Sequence, residues 1–314
     1  MPAETLDPSQ PDTSTSGSSP DSLFSTRKGF EHLHLTRRRL LTGTGLTLAG
    51  LFLYASEISR HELETVSTTL RIRNLPEAFH GFRIAQLSDI HLAEFTEEAF
   101  LTYAVHRINI LKPDMVLLTG DYVSDGPRPI RYAINAAGRC GEILRRIESP
   151  LRYATLGNHD VNVGSSEVLE ALRTHDIQTL VNQYVPIERD GQRLWLSGLD
   201  DAGRGTPDIE RSVPAHLDAP LLMMCHEPDF ADTIVRHPRG MLADVLFAGH
   251  THGGQVRLPF LPPLALPPMG KLYPAGLFHL NRTQLYVNRG LGTVELPIRF
   301  NCPPEITLHT LQPA

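Results

Sequence analysis

One set of residues in this chain could do metal and acid–base chemistry together: Asp89, His91, Asp121, Asn158, His159, Asp160, His226, His250 and His252. His250 and His252 stand at i, i+2 between Gly249 and Gly253-Gly254. In an extended segment that spacing turns both imidazoles to one side, and glycines let the main chain turn sharply and approach a bound group. Alone, a His-x-His pair is a weak signal that surface histidines match as often. Placement strengthens it, because every member follows an apolar run. Asp89 and His91 follow Phe82 to Leu87, Asp121 follows Met115 to Leu118, and Asn158-His159-Asp160 follow Tyr153 to Leu156. His226 follows Leu221 to Cys225, and His250 follows Val245 to Ala248. Asp, Asn and His donors without thiolate suit Mn, Fe, Zn or Ni rather than a structural zinc. Asp89, His91, Asp121, Asn158, His226, His250 and His252 are too many donors for one ion, and suit two ions sharing a carboxylate.

The elements that must position this set alternate. Thr96 to Leu111 has apolar residues at helical period, and Lys112-Pro113-Asp114 ends it. A second helix is expected over Ile130 to Ile147, and a third capped by Ser165 or Ser166 and running through Leu172. Further strands are expected at Leu194 to Leu199, Gln284 to Val287 and Ile306 to Leu311. Alternation of this kind implies an α/β protein with its functional groups in the loops after the strands.

Composition limits the alternatives. The 314 residues allow one large domain with appendages, and 41% hydrophobic with 20% charged residues is ordinary for a globular chain. A net charge of −6 gives no reason to expect a nucleic-acid partner. Cys140, Cys225 and Cys302 are odd in number and lack CxxC spacing, which argues against a disulfide framework or a thiolate metal site. Residues 1–35 are rich in Ser, Thr, Pro and Asp and read as a disordered leader. Residues 36–57 follow with Thr36-Arg37-Arg38-Arg39-Leu40-Leu41 and an apolar run to Ala55, shorter than the about 20 residues of a spanning helix. This resembles a twin-arginine export signal. No A-x-A cleavage site follows, so the segment is expected to serve as signal or retained membrane anchor, with residues 63–314 as the working domain outside.

Taken in order, Asp89-x-His91, Gly120-Asp121, Gly157-Asn158-His159-Asp160, His226 and Gly249-His250-Thr251-His252 resemble the motif set of the calcineurin-like metallophosphoesterases, over roughly Phe82 to Leu311. Gly253-Gly254-Gln255, Arg289-Gly290-Leu291-Gly292 and Cys302-Pro303-Pro304-Glu305-Ile306 are similar to its exported or membrane-associated bacterial phosphodiesterases. The resemblance implies a four-layer αββα sandwich with two mixed sheets. It implies that Asp89, His91 and His252 bind one divalent ion, that Asn158, His226 and His250 bind the other, and that Asp121 bridges them. Paired cations lower the pKa of a shared water towards about 7 and clamp phosphoryl oxygens for in-line attack. His159 would then protonate the leaving oxygen or stabilise charge on the phosphoryl group, with Asp160 either orienting its ring or capping a helix or turn.

The expected function is hydrolysis of a phosphodiester, cell-envelope or lipid-linked, by an enzyme exported through the twin-arginine machinery. A phosphomonoesterase or a nucleotide-lipid pyrophosphatase is the alternative, and a non-catalytic envelope-binding module the least favoured. Asp121 is followed by Tyr122-Val123-Ser124-Asp125-Gly126 and not by the Asp-Arg-Gly of protein phosphatases, which makes phosphoprotein a poorer substrate. Leu258 to Met269, LPFLPPLALPPM, has too many prolines for helix or central strand. It is expected to pack on the core, the alternatives being an apolar pocket wall or contact with a bilayer. Asp200-Asp201 are expected in an ordinary turn.

Overall fold

A computed structural model describes residues 36–92 and 96–314, so the leader expected over 1–35 lies outside the described residues. Two six-stranded sheets form the body. The first runs β1 (Glu64–Ile72), β12 (Glu305–Pro313), β2 (Arg83–Leu87), β3 (Met115–Leu118), β4 (Leu151–Ala154) and β5 (Gln178–Thr179). The second runs β10 (Gly276–Leu280), β11 (Thr283–Val287), β9 (Val245–Ala248), β8 (Leu221–Met224), β7 (Gln192–Gly198) and β6 (Gln183–Arg189). Both are mixed: β12 is antiparallel to β2, as are β10 to β11 and β6 to β7, while the other pairs run parallel.

Helices α2 (Glu98–Leu111), α3 (Ile130–Leu144) and α4 (Asn158–Arg173) pack their apolar faces on the first sheet. The short α5 (Ile209–Ser212) and α6 (Ala231–Arg236) pack on the outside of the second. A third core, with Leu70, Met115, Leu117, Met224 and Phe247, fills the space between the sheets. The result is the expected four-layer αββα sandwich. Strands β3, β8 and β9 are buried along their whole length, which is why each reads as an unbroken apolar run. Helix α4 departs from expectation. It starts at Asn158 itself and breaks at Gly164 (φ 139°), so Ser165 and Ser166 lie after the break and not at the first cap.

Helix α1 (Arg37–Leu53) carries the arginine run and the apolar segment, and none of its residues is buried. No helix among the described residues is long and apolar enough to cross a membrane.

Polar bonds join the two sheets near the site. Gln86 on β2 is fully buried and donates to Ala248 O (2.9 Å) on β9 and to Thr119 Oγ1 (3.2 Å). Its Oε1 meets Nε2 of His309 at 3.1 Å, a ring that burial keeps neutral by pushing its pKa down to about 3. Strands β2 and β9 lead into Asp89 and into His250, so this one amide ties together the two main chains that deliver them. Replacing Gln86 with Leu keeps the volume but leaves the buried His309 Nε2 unpaired and takes one of two donors from Ala248 O, which keeps the Asn288 N–H. We expect a loss of about 1–3 kcal/mol, seen as a lower midpoint in thermal unfolding, and an unchanged midpoint would refute the tie.

Candidate metal centre

The strand ends converge at one place. Asp89, His91, Asp121, His250 and His252 all take positive φ, between 49° and 70°. This left-handed region is uncommon outside glycine. It turns the chain sharply as each strand ends, so that the side chains point together. Gly249 permits the closest approach, since a Cβ there would strike Ser88 and the Asp89 carboxylate. Gly290 (φ 71°) lies against Asp89 in the same way, with a Cβ position 2.6 Å from Asp89 Cβ.

Three overlapping groups bring their ligand atoms within 4.8 Å of one another: Asp89, His91 and His252; His91, Asp121 and His159; and Asp121, His226 and His250. His91 and His252 face each other through their Nε2 atoms at 3.1 Å. His252 Nε2 is 3.4 Å from Asp89 Oδ1, and His91 Nε2 is 3.7 Å from Asp121 Oδ2. His226 Nε2 is 3.1 Å from the same Asp121 oxygen. Asn158 Oδ1 is buried and has no hydrogen-bond partner. A buried amide oxygen without a partner is costly, and a cation would satisfy it. The nitrogen and oxygen donors, two Nε2 atoms turned at each other and this orphan oxygen all fit divalent ions.

The opposite ring nitrogens are tied down. His226 Nδ1 bonds to Thr119 O (2.7 Å), His91 Nδ1 to Ser124 Oγ (2.7 Å) and His252 Nδ1 to Gly292 O (3.3 Å). His250 differs: its Nε2 bonds to Pro268 O (2.8 Å), leaving Nδ1 for the site. Such outer contacts fix tautomer and ring orientation. Burial drives His91, His250 and His252 below the usual histidine range, with neighbouring positive groups adding to the effect. Burial also opposes charge on His226, but the Asp121 carboxylate overrides it and raises the ring well above that range.

The model of the calcineurin-like phosphoesterase family matches residues 82–254. The chain belongs to that family. Over 289 residues it is 34% identical to the metallophosphoesterase YkuE of Bacillus subtilis, covering 88% of this chain and 98% of that protein. It is 29% identical to the phosphodiesterase YaeI of Escherichia coli, covering 88% and 99%. A third relative, the UDP-2,3-diacylglucosamine pyrophosphatase LpxG of Chlamydia trachomatis, is 28% identical over 75% of this chain and 86% of its own. This calcineurin-like phosphoesterase is thus a hydrolase of phosphoric esters, and membership implies divalent metal ions.

His159 and Asp160 do not work as a pair. The two are consecutive in the first turn of α4, so their side chains leave the helix in different directions. Asp160 is fully buried and accepts hydrogen bonds from the N–H groups of Asp121 (2.7 Å), Tyr122 (2.9 Å) and Gly157 (3.0 Å). It braces the loop that presents Asp121. Burial and the Asp121 carboxylate push its pKa up to about 7, against those donors. The carboxylate that meets His159 is Asp125, through Nδ1, and Asn162 Nδ2 holds the other Asp125 oxygen at 2.7 Å. Burial opposes protonation of His159, but Asp121 and Asp125 outweigh it and raise its pKa. The sequence signal for Asp125 is modest: a carboxylate in the loop that leaves Asp121.

Two further buried groups had no motif to announce them. Arg299, fully buried, donates to Gly292 O (3.1 Å), Cys302 O (3.1 Å), Arg289 O (2.9 Å) and Gly290 O (3.2 Å), and burial lowers its pKa to about 10. It fixes the loop behind Asp89 and His252. Asp200 and Asp201 do form a turn: Asp200 accepts from Asp201 N and Thr206 N, and Asp201 from Gly203 N at 3.1 Å. Asp201 is buried, and desolvation, with the neighbouring Glu227 carboxylate adding to it, pushes its pKa up to about 7.

Three outcomes follow from these contacts. Asp160→Asn sets an N–H₂ group against backbone donors and is expected to cost about 2–4 kcal/mol in unfolding. Asp125→Asn should leave unfolding and metal content within error and lower turnover about tenfold, through the misheld proton donor; equal effects of the two variants would reject this division. Folding favours protonated Asp201, so its stabilisation is complete below the ordinary carboxylate range and is lost as pH rises from about 4 through about 7. The loss is on the order of a few kcal/mol, at about 1.4 kcal/mol per pKa unit. Melting midpoints against pH should show that slope in the native chain and a flatter one in Asp201→Asn.

Proposed function

We propose that this metallophosphoesterase is a dinuclear enzyme that cleaves phosphodiesters carrying an apolar group. Asp89, His91 and His252 would hold one ion and Asn158, His226 and His250 the other, with Asp121 between them. Two such ions supply an acidified water as nucleophile and neutralise charge on the phosphoryl oxygens. The chain's own part is orientation and proton delivery. Asp125 holds Nδ1 of His159, which leaves Nε2 to protonate the departing oxygen, and the raised pKa keeps that proton available near neutrality. Asp160 and Arg299 hold still the loops that deliver Asp121, Asp89 and His252.

The observation that carries the substrate reading is the cavity beside the site. It has a volume of about 460 Å³ and reaches from Asp121, Asn158 and His159 to an apolar far wall of Leu264, Leu266, Val294, Leu296 and Ile298. A phosphoryl group would sit at the polar end and an acyl or prenyl chain along the apolar wall. The relative named a UDP-2,3-diacylglucosamine pyrophosphatase supports a second reading, a nucleotide-lipid pyrophosphate as substrate, since both would place phosphate and lipid in this order. The arginine run that opens α1 supports export by the twin-arginine route, with the apolar remainder of that helix as anchor or signal.

The test is turnover of bis-p-nitrophenyl phosphate by the Mn-loaded protein, with p-nitrophenyl phosphate and a lipid-linked nucleoside diphosphate in parallel. Chelation should abolish turnover. Asp121→Asn should reduce it by about a hundredfold or more, as removal of a central electrostatic group does. Leu264→Asp should spare the soluble diester and slow the lipid-linked substrate. A protein that binds two ions yet gives the diester no advantage over the monoester would overturn the diesterase reading.

A further inference from the structure

The apolar wall of the cavity continues outward onto the surface. Leu258, Phe260, Leu261, Leu264 and Leu296 are all exposed around its mouth, and the relative exposure of Phe260 reaches 106%, that of a side chain with nothing against it. The segment did not fold onto the core as its apolar composition led us to expect. Its prolines at 259, 262, 263, 267 and 268 fix the backbone and deny it helix or strand, and Phe260 takes a left-handed turn (φ 65°) at the tip. From Leu258 to Met269 there is no charged side chain. Exposed apolar groups concentrated like this mark a surface that meets something.

A second apolar element leaves the fold at the same edge. Leu51, Phe52 and Leu53 are exposed at the end of α1, and the chain then docks immediately. Arg299 N donates to Ala55 O (3.0 Å), and the Tyr54 ring packs edge-on against Phe300 at 6.3 Å. Phe300 in turn bonds to Gln255 and Arg257, the residues that lead into Leu258. Thus the apolar loop and the apolar helix end adjoin through one short pairing, beside the mouth of the cavity. The chain's own first 35 residues, rich in Ser, Thr, Pro and Asp, have little to cover such a face.

We propose that this face rests on a lipid bilayer, with Phe260 and Leu261 inserted, so that the phosphoester is drawn from the bilayer into the cavity without crossing water. The proposal rests on the reading of the site as a phosphodiesterase for substrates with an apolar tail. Rigid apolar tips lose little conformational freedom on insertion, and an uncharged loop needs no anionic lipid. Docking by this loop is therefore expected on phosphatidylcholine vesicles and at high salt.

Trp195 is the single tryptophan, so the full chain with Trp195→Phe and Phe260→Trp reports on the loop alone. Phosphatidylcholine vesicles with brominated acyl chains should quench that tryptophan and shift its emission to the blue. In the native background, Phe260→Ser with Leu261→Ser should lower hydrolysis of a vesicle-embedded phosphodiester at least about tenfold, since two buried apolar side chains are worth more than about 1.4 kcal/mol. The same variant should hydrolyse soluble bis-p-nitrophenyl phosphate within about twofold of the native chain, as neither residue lines the cavity. A water-exposed tryptophan in the presence of vesicles would overturn the docking while soluble turnover kept the phosphodiesterase reading intact. A blue shift without vesicles that grows with protein concentration would also overturn it, in favour of a second copy on this face. Loss of both activities in equal measure would show that the loop acts on the site and not on the bilayer. Absent soluble turnover by the native chain would bring down the enzymatic reading, and quenching would then judge the docking by itself.

Discussion

Four imidazoles, two carboxylates and an amide must be brought together with their donor atoms facing inward, out of water, and this requirement shapes the whole molecule. Each group is costly to bury, and the like groups repel. The main chain contributes strain, with five of these residues in the left-handed region, where a side chain costs on the order of 1–2 kcal/mol per residue. Such strain persists only where the surroundings over-determine it. Here they do. The strands that end in these turns lie inside two sheets, and Gln86 and the Gln284–Arg71 amide bonds tie the sheets to each other. Asp160 and Arg299 then hold the loops from behind. The sandwich is the brace for a cluster that would otherwise relax.

That division explains what could be read from the sequence. Strands β3, β8 and β9 are buried along their whole length and appear as continuous apolar runs with a polar group soon after, and β2 is buried from Ile84 to Leu87 with Gln86 as its polar break. Fold class was legible for the same reason, as was the placing of Asp89, His91, Asp121, His226, His250 and His252, which follow these four strands and come together. Edge strands were not. The residues of β1 alternate between exposed and partly buried positions, and β6 is largely exposed and contains Pro186, so neither offers an apolar run to notice. The helical turns before Gly164 were missed because only Thr155, Leu156 and Gly157 separate β4 from Asn158, while the stretch after the Gly164 break begins at Ser165 as expected.

The roles of the carboxylates were less legible still. Asp160 stands next to His159 in the chain, and adjacency suggested partnership. On a helix consecutive side chains diverge by roughly 100°, and Asp160 turns back to the main chain of the Asp121 loop while His159 turns to Asp125. Nothing local announces such a pairing, because it depends on how the loop after β3 folds over the first turn of α4. Arg299 illustrates the same point from the other side. Its charge suggests a surface residue, yet four carbonyls of a tight loop satisfy its guanidinium in the interior.

The two halves of the cavity follow different physical rules. At its inner end the four imidazoles and both carboxylates are fixed by second contacts, so the groups that would meet the phosphoryl oxygens are preorganised and pay little on reaction. At its outer end Glu295 is the one charged group among the described lining residues, and Leu264, Leu266 and Leu296 select by size and hydrophobicity. Apolar walls discriminate weakly, since one methylene more or less is worth about 1–3 kcal/mol. A site built in this way would be strict about the bond it breaks and permissive about the chain attached to it. The stretch directly after Asp121 argues in the same direction, because Tyr122-Val123-Ser124 stands where protein phosphatases have Asp-Arg-Gly. In such an arrangement the selection that the walls cannot make has to come from where the substrate is presented, and among the described residues the exposed apolar mouth is the feature that bears on it.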